Sequence, residues 1–245
     1  MNTEARHPPA KRHTAFALVM AGLALVFIGL GTWQVQRLFW KLDLIARVDA
    51  RVHAAAVPAP APAEWPTVST DTAEYRHVTA KGTALHDKTV FVQAVTERGP
   101  GFWVVTPLQT GDRGTILINR GFVPADRRDP ASRPGSDPEG EVTVTGLLRM
   151  TEPGGGFLRS NDPAGNRWYS RDVEAIATAE GLARVAPYFI DADRTSNAGD
   201  FPVGGLTVIQ FRNSHLVYAI TWYSLAAMSI GASVYLLRRR PMDAS

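Results

Sequence analysis

Two long apolar runs stand near opposite ends of the chain, Thr14–Trp33 and Leu216–Leu237, and neither contains a charged residue. A helix needs roughly 20 predominantly apolar residues to cross a bilayer, and both runs reach that length. Between them the hydrophobic positions come in short alternating stretches separated by Pro, Gly and Asp. That contrast predicts a membrane protein in which two transmembrane helices flank a mostly-β (α+β) extramembrane domain, barrel- or sandwich-like, with one helix. The expected segments are a tail over 1–13, a transmembrane helix over 14–33, a juxtamembrane amphipathic helix over 34–56, a β-rich domain over 57–214, a second transmembrane helix over 215–237 and a basic tail over 238–245. A cleaved signal peptide is the competing reading of the first run. Its apolar stretch is longer than the usual core of about 7–15 residues, and no small-residue cleavage site follows it, which favours an anchor.

Past the first run, Val35, Leu38, Phe39, Leu42, Ile45, Val48 and Val52 recur at helical spacing with Arg37, Lys41, Asp43, Arg47, Asp49 and Arg51 between them. The helix is therefore expected to continue as an amphipathic segment ending near Ala56. Pro58, Pro60, Pro62 and Pro66 then predict an extended strap around Trp65. Strands are expected over Arg76–Leu85, Thr89–Val95, Phe102–Leu108, Thr115–Phe122, Glu141–Arg149, Tyr188–Asp191 and Leu206–Phe211. The stretch Gln109–Gly114 reads as a turn, and Asp126–Gly140 as an exposed loop. Asp172–Gly181 carries an N-cap, an acidic first turn and a terminal glycine, and is the expected helix. Val78–Leu85 and Leu206–Phe211 both adjoin the spans and are expected in one sheet.

Charge adds orientation. Arg6, Lys11 and Arg12 precede the first run and Arg238, Arg239 and Arg240 follow the second. Excess Lys and Arg marks cytoplasmic flanks, so both termini are expected inside and the central domain outside. Most of the basic excess behind the isoelectric point of about 9.4 sits in those tails, and the central domain is close to neutral. Nucleic acid is not an expected partner; the lipid bilayer is. The chain has no cysteine, which excludes disulfides, thiol catalysis, covalent haem attachment through thioethers and thiolate metal sites. That lack, with only scattered Met, also disfavours a copper chaperone.

Chemistry concentrates at the rims of the runs. His215 opens the second run, with no charged residue after it until Arg238. Tyr218 and Trp222 lie three and seven residues further on, and are expected on the same helical face. An imidazole above an aromatic wall suits an axial ligand to haem iron. The same three residue types also populate membrane interfaces for packing reasons, and spacing alone does not separate the two readings. Trp33, Arg37, Trp40 and Lys41 cluster at the end of the first run, where cations can pair with haem propionates or simply reach the headgroup layer. Arg212 belongs to the same layer. Small residues four apart, Ala17 with Ala21 and Ala227 with Gly231, are expected where the spans touch. His77 and His86 read as surface residues, and Asn119–Pro124 as a strand edge and turn. Gly154–Gly156 lacks the Lys-Ser or Lys-Thr of a phosphate loop.

Five blocks in order then resemble one family. They are Leu30–Arg37 with Trp40-Lys41-Leu42 and Leu44-Ile45; Asn119–Pro124; Asn161-Asp162-Pro163 with Asn166, Trp168-Tyr169 and Arg171–Ala175; Pro187–Asp191; and Gly204-Gly205 with Arg212-Asn213, His215-Leu216, Tyr218-Ala219 and Thr221-Trp222-Tyr223. Together they are similar to the surfeit locus protein 1 family, the assembly factors of haem-copper cytochrome c oxidase. The resemblance implies a non-enzymatic protein that binds haem A and assists its delivery or insertion into cytochrome c oxidase subunit I. Haem A synthase is a further expected partner. The resemblance maps the family's haem-linked histidine onto His215, the metal ligand, and extends cofactor binding to Trp33, Arg37, Tyr218 and Trp222. About 13 residues precede the first run, short for a mitochondrial transit peptide, so the expected location is the bacterial inner membrane with a periplasmic central domain. The alternative is a scaffold that stabilises the nascent oxidase subunit without binding haem. A haem A synthase would be expected to hold more intramembrane His, and a sensor would need a cytoplasmic output domain.

Overall fold

A computed structural model describes residues 9–111, 114–156, 158–194, 200–209 and 211–238. The tail cations Arg6, Arg239 and Arg240, the side chains of Lys11 and Arg12, and Asp112 and Arg113 of the expected turn lie outside the described residues. The chain forms two compact units, residues 1–46 with 210–245, and residues 47–209.

The first unit consists of helix α1 (Pro9–Val52), up to residue 46, and helix α4 (His215–Arg238). Both are long and apolar enough to cross a membrane, and only 17% of each apolar window is buried. Leu18, Val19, Leu25, Val26, Val217 and Ile220 are all more than half exposed. A helix inside a soluble core would be covered, so this outward apolar surface is that of a membrane protein.

The second unit is a closed five-stranded barrel. Its strands are β2 (His77–Ala84), β4 (Gly99–Gln109), β5 (Thr115–Pro124), β6 (Glu141–Met150) and β7 (Val185–Ala192). Around the barrel the order is β2-β6-β7-β5-β4, and β4 returns to β2 through Thr83↔Gln109 and Ala84↔Leu108. All these pairings are antiparallel except β5 with β7. Closure demands Gly82, because a Cβ there would stand 2.2 Å from the Gln109 carbonyl oxygen. Strand β1 (Val57–Pro58) adds to β2 in parallel, and β3 (Val90–Thr96) forms a hairpin with β4.

Alternation fills the lumen. Val78 and Ala80 of β2, Ile116 and Ile118 of β5, Val144 and Leu148 of β6, and Ala186, Tyr188, Ile190 and Ala192 of β7 form one buried cluster. The opposite faces of β5 and β7 are covered as well. Leu117 and Phe189 pack with Val90, Val92, Val105 and Trp168, and with Val173 and Ile176 of helix α3 (Val173–Ala179). Burial on both faces explains why β5 is buried almost throughout and carries the unbroken apolar run Ile116–Ile118 rather than an alternation. As expected, Asp172 caps α3 by accepting from the Ala175 amide, and Gly181 follows at φ 60°.

The proline strap closes one end of the lumen. The Pro60 carbonyl accepts from the Trp65 indole at 3.1 Å and from the Tyr188 hydroxyl at 2.9 Å. A short helix α2 (Thr70–Ala73), absent from the sequence reading, is held by a Ser69–Thr72 capping box. The α1 helix stops at Val52 rather than near Ala56: the His53 ring bonds the Asp49 carbonyl, and Arg51 donates to the Asp71 and Glu74 carbonyls.

Three expectations are overturned here. Leu206–Ile209 is no strand, and β2 pairs with β1, β6 and β4 instead. Both sides of β2 are taken, one by β6 and the other by β1 and β4, which leaves it no edge for a further strand. Asn119–Pro124 is not a strand edge, because β5 lies between β4 and β7. The stretch 126–140 is not wholly exposed either, since Arg133 and Ser136 are buried in it.

Candidate functional site

The two apolar helices meet along a seven-residue repeat. On α1 the covered positions are Ala17, Ala24 and Gly31, interleaved with Phe27 and Gln34; on α4 they are His215, Trp222 and Ser229, interleaved with Ala219, Ala226 and Ser233. Such spacing, averaging 3.5 residues per turn, keeps one stripe of each helix against the other. Most of the residues in it are small, so the backbones approach closely. The contacts run in opposite order, so the helices are antiparallel. The Ser233 hydroxyl donates to the Ala17 carbonyl at 3.0 Å, Phe27 stacks on Trp222 at 5.7 Å, and His215 meets Gln34. Gly31 is needed in this stripe, because a Cβ there would lie 2.9 Å from the Tyr223 ring. The Tyr223 hydroxyl also lies 3.1 Å from that of Thr32, which donates to the Ile28 carbonyl.

His215 is half-buried at the first residue of α4. Its Nδ1 donates to the Gln34 Oε1 at 2.8 Å, and Gln34 is itself buried. A carbonyl oxygen can only accept, so Nδ1 carries a proton, and in the neutral ring the lone pair lies on Nε2. No other protein group bonds this ring among the described residues. A half-buried imidazole with a fixed Nδ1–H and a bare Nε2 is the donor that haem iron takes from a histidine, so the residues present fit that group.

The other candidates separate. Trp222 shares the covered stripe with His215, but Tyr218 is 54% exposed and its place in the stripe is taken by Ala219. At 3.6 residues per turn a step of three falls about 60° short of a full turn and a step of four overshoots it by about 40°, and the partner helix selects the latter. Trp33 is 55% exposed and Arg37 is exposed, its guanidinium stacked 4.0 Å over Trp40. Lys41 lies over Phe211 at 4.8 Å, and Arg212 is exposed. The small-residue expectation holds for Ala17 and Ala21 but fails for Ala227 and Gly231, which are exposed. Gln34, Phe27, Gly31 and Tyr223 are the site residues missed by reading rim chemistry. The seven-residue spacing of Ala17, Ala24 and Gly31, and of Phe27 and Gln34, carried the signal.

The barrel holds a second polar centre around Asp191. Its Oδ1 accepts from Asn119 at 2.7 Å and Arg171 at 2.9 Å, and its Oδ2 from Thr207 at 3.0 Å and Arg149 at 3.2 Å. Arg149 also pairs with Glu74 at 2.8 Å, and Arg171 with Glu152 at 2.6 Å. Burial works against the charged guanidinium of Arg149, but Asp191 and Glu74 outweigh it and raise its pKa above the ordinary arginine value. A cavity of about 240 Å³ adjoins the cluster, lined in part by Trp103, Arg149, Arg171, Gly205 and Thr207. Asn119, Arg171 and Asp191 come from three different blocks of the sequence resemblance, so those blocks meet at one buried ionic knot.

Arg120 completes the Asn119–Pro124 block. It donates to Asp137 at 2.7 Å and to the Ser136 carbonyl, latching the 126–140 stretch over the barrel. Burial favours the neutral Asp137, yet the Arg120 hydrogen bond and charge hold its carboxyl below the usual range. His86 donates to the Pro138 carbonyl at 3.0 Å and His77 pairs with Asp193 at 2.8 Å, so neither is the surface residue expected. The Asn161–Trp168 block is a small turn whose Trp168 is buried beside α3.

A pair of antiparallel apolar helices with a rim imidazole, covalently continuous with a closed five-stranded barrel, defines a membrane-anchored β-barrel protein. The chain belongs to the SURF1 family, whose family model matches residues 21–227. It is 39% identical over 242 residues to surfeit locus protein 1 of Homo sapiens, covering 91% of this chain and 78% of that protein. Identity to surfeit locus protein 1 of Mus musculus is 41% over 236 residues, covering 87% and 73%. A SURF1-like protein of Monosiga brevicollis is 36% identical over 245 residues, covering 94% and 90%.

Proposed function

We propose that this chain is a non-enzymatic assembly factor for haem-copper cytochrome c oxidase. It holds haem A through His215 and assists its delivery to subunit I, in contact with haem A synthase as the source. The observation that carries the reading is the His215–Gln34 pair, which leaves one imidazole nitrogen without a protein partner among the described residues at the rim of two apolar helices. When bound, the haem supplies an iron that accepts one nitrogen ligand and propionates that accept cationic partners. His215 provides the nitrogen. Arg37, about one helical turn beyond Gln34 and exposed, provides a cation for a propionate. The exposed rings of Trp33 and Tyr218 and the half-buried Trp222 supply apolar surface. A single protein ligand suits a carrier that must release its cargo.

The location belonging to this reading is a bacterial inner membrane; the basic flanks support cytoplasmic tails and a periplasmic barrel. Purified protein made alongside haem A synthesis tests the haem reading. His215→Ala should lose most of its haem A, measured as pyridine haemochrome per protein, while inserting and accumulating normally. The substitution removes one donor and no spanning hydrophobicity. Equal haem content in the two proteins would sink the ligand assignment and leave the haem-free scaffold as the better account.

A further inference from the structure

We propose that Gln34 is the positioning residue for His215: it fixes which imidazole nitrogen is free and holds the plane of the ring. The inference rests on the haem-binding reading for its consequence, but not for its geometry. The argument begins from the chemistry of the pair. A neutral imidazole has two tautomers, and in water both exchange freely. Opposite Nδ1 at 2.8 Å stands the Gln34 carbonyl oxygen, which accepts and cannot donate. The tautomer with hydrogen on Nδ1 makes this bond, whereas the other would set two lone pairs against each other. Gln34 is 8% exposed, so little water can substitute for its oxygen. Losing the bond would leave a buried polar group unpaired, which favours one tautomer by roughly 5- to 150-fold.

The ring is thereby oriented before any ligand arrives. His215 is the first residue of α4, where a helix end alone gives it little support. Its restraint comes from the other helix, at the point where the seven-residue spacing from Phe27 of α1 places an amide. The choice of amide has a further consequence. A carboxylate at the same place would pull the Nδ1 proton towards itself and make Nε2 a stronger donor. A neutral carbonyl does so weakly, which gives a defined but moderate ligand. Gln36, two residues on, is exposed and cannot take over this role.

Two measurements on the full-length protein in detergent test the proposal. The first needs no haem. In haem-free protein labelled with ¹⁵N-histidine, with the His215 signals assigned by their loss in His215→Ala, the nitrogen shifts should report a proton on Nδ1. In Gln34→Leu they should move towards the other tautomer. The second uses purified haem A as the probe. Gln34→Leu should weaken its binding by about 10–100-fold, the usual effect of removing the hydrogen-bond partner of a metal-bound histidine. The iron–histidine stretching band of the ferrous form should fall in frequency in Gln34→Leu and rise in Gln34→Glu. A wild-type tautomer and wild-type haem affinity in Gln34→Leu would overturn the positioning role while leaving His215 as ligand. Haem binding unchanged in His215→Ala would overturn the ligand reading, even if the tautomer effect persists. If Gln34→Leu fails to accumulate, Gln34→Glu decides alone: an unshifted iron–histidine band there overturns the proposal.

Discussion

Two polar centres of the chain are built in opposite ways. In the barrel, Asp191 is saturated, with four donors on its two oxygens and two arginines each tied to a second carboxylate. Between the membrane helices, His215 has one partner and one nitrogen left over. A saturated buried cluster has no capacity for a ligand; it fixes which strands and loops come together. An unsaturated imidazole at an apolar rim contributes little to the fold and retains its chemistry. The difference accounts for the first centre as architecture and leaves the second available for the binding proposed above, although the first has many more charges.

The largest expected effect breaks the saturated centre. Asp191→Ala removes the acceptor shared by Asn119, Thr207, Arg149 and Arg171. Breaking a buried charge pair from one side costs about 3–5 kcal/mol, a large share of an ordinary domain's stability. The urea midpoint of the barrel should fall sharply and protease resistance should go with it, whereas His215→Ala should leave both near wild type. A barrel that tolerates Asp191→Ala would remove the contrast between the two centres.

A middle-sized effect sharpens the membrane side. Gly31→Val places carbon where the Tyr223 ring lies and should cost the helix pair about 1–3 kcal/mol through overpacking. The natural chain has no cysteine, so Ala17→Cys with Ser233→Cys gives a clean reporter of the antiparallel contact. That pair should cross-link readily in the wild-type background and more slowly with Gly31→Val added. Equal cross-linking would mean that Tyr223 swings aside at no cost.

The sequence displayed the membrane side better than the barrel. The two apolar runs, the rim histidine and the seven-residue stripes are local patterns, each readable within one helix. Most strands were also legible from alternation, because the lumen of a small barrel imposes period two. What could not be read is non-local. The return of β4 to β2 depends on Gly82 meeting Gln109, and nothing near Gly82 announces that partner. Leu206–Ile209 has strand composition but no strand, because β1, β6 and β4 already occupy both sides of β2; instead Thr207 bonds Asp191. The Asp191 knot draws on Glu74, Asn119, Arg149, Glu152, Arg171 and Thr207, which are too dispersed to be read as one site. Tyr218 shows the limit within a helix: the three-residue and four-residue neighbours of His215 are equally plausible until the partner helix chooses Ala219.

The smallest expected effect lies outside both centres and separates them from a third polar contact. His77 Nε2 meets Asp193 at 2.8 Å, and its Nδ1 meets the Ala54 carbonyl at 2.9 Å, tying the segment after α1 to β2. Burial alone would lower the imidazole pKa, but the Ala54 carbonyl and the Asp193 hydrogen bond and charge outweigh it, so the pKa is raised above 6.5. A folded-state pKa above the unfolded one means that the folded protein binds the proton more tightly. The contribution of His77 is therefore fully present below pH 6.5 and is lost as pH rises through the raised folded value. The depressed pKa of Asp137 acts in a different window, since its contribution is lost only as pH falls below 3.8 through a still lower folded value. Between these limits His77 can be read by itself. Urea midpoints of wild type and His77→Gln should differ most near pH 6 and converge by about pH 9, with wild type the more stable at the acid end. The fraction of His77 still open to solvent keeps the difference small. A gap that widens towards alkaline pH would show that the neutral imidazole is the stabilising form here, and the ion pair with Asp193 would have to be abandoned.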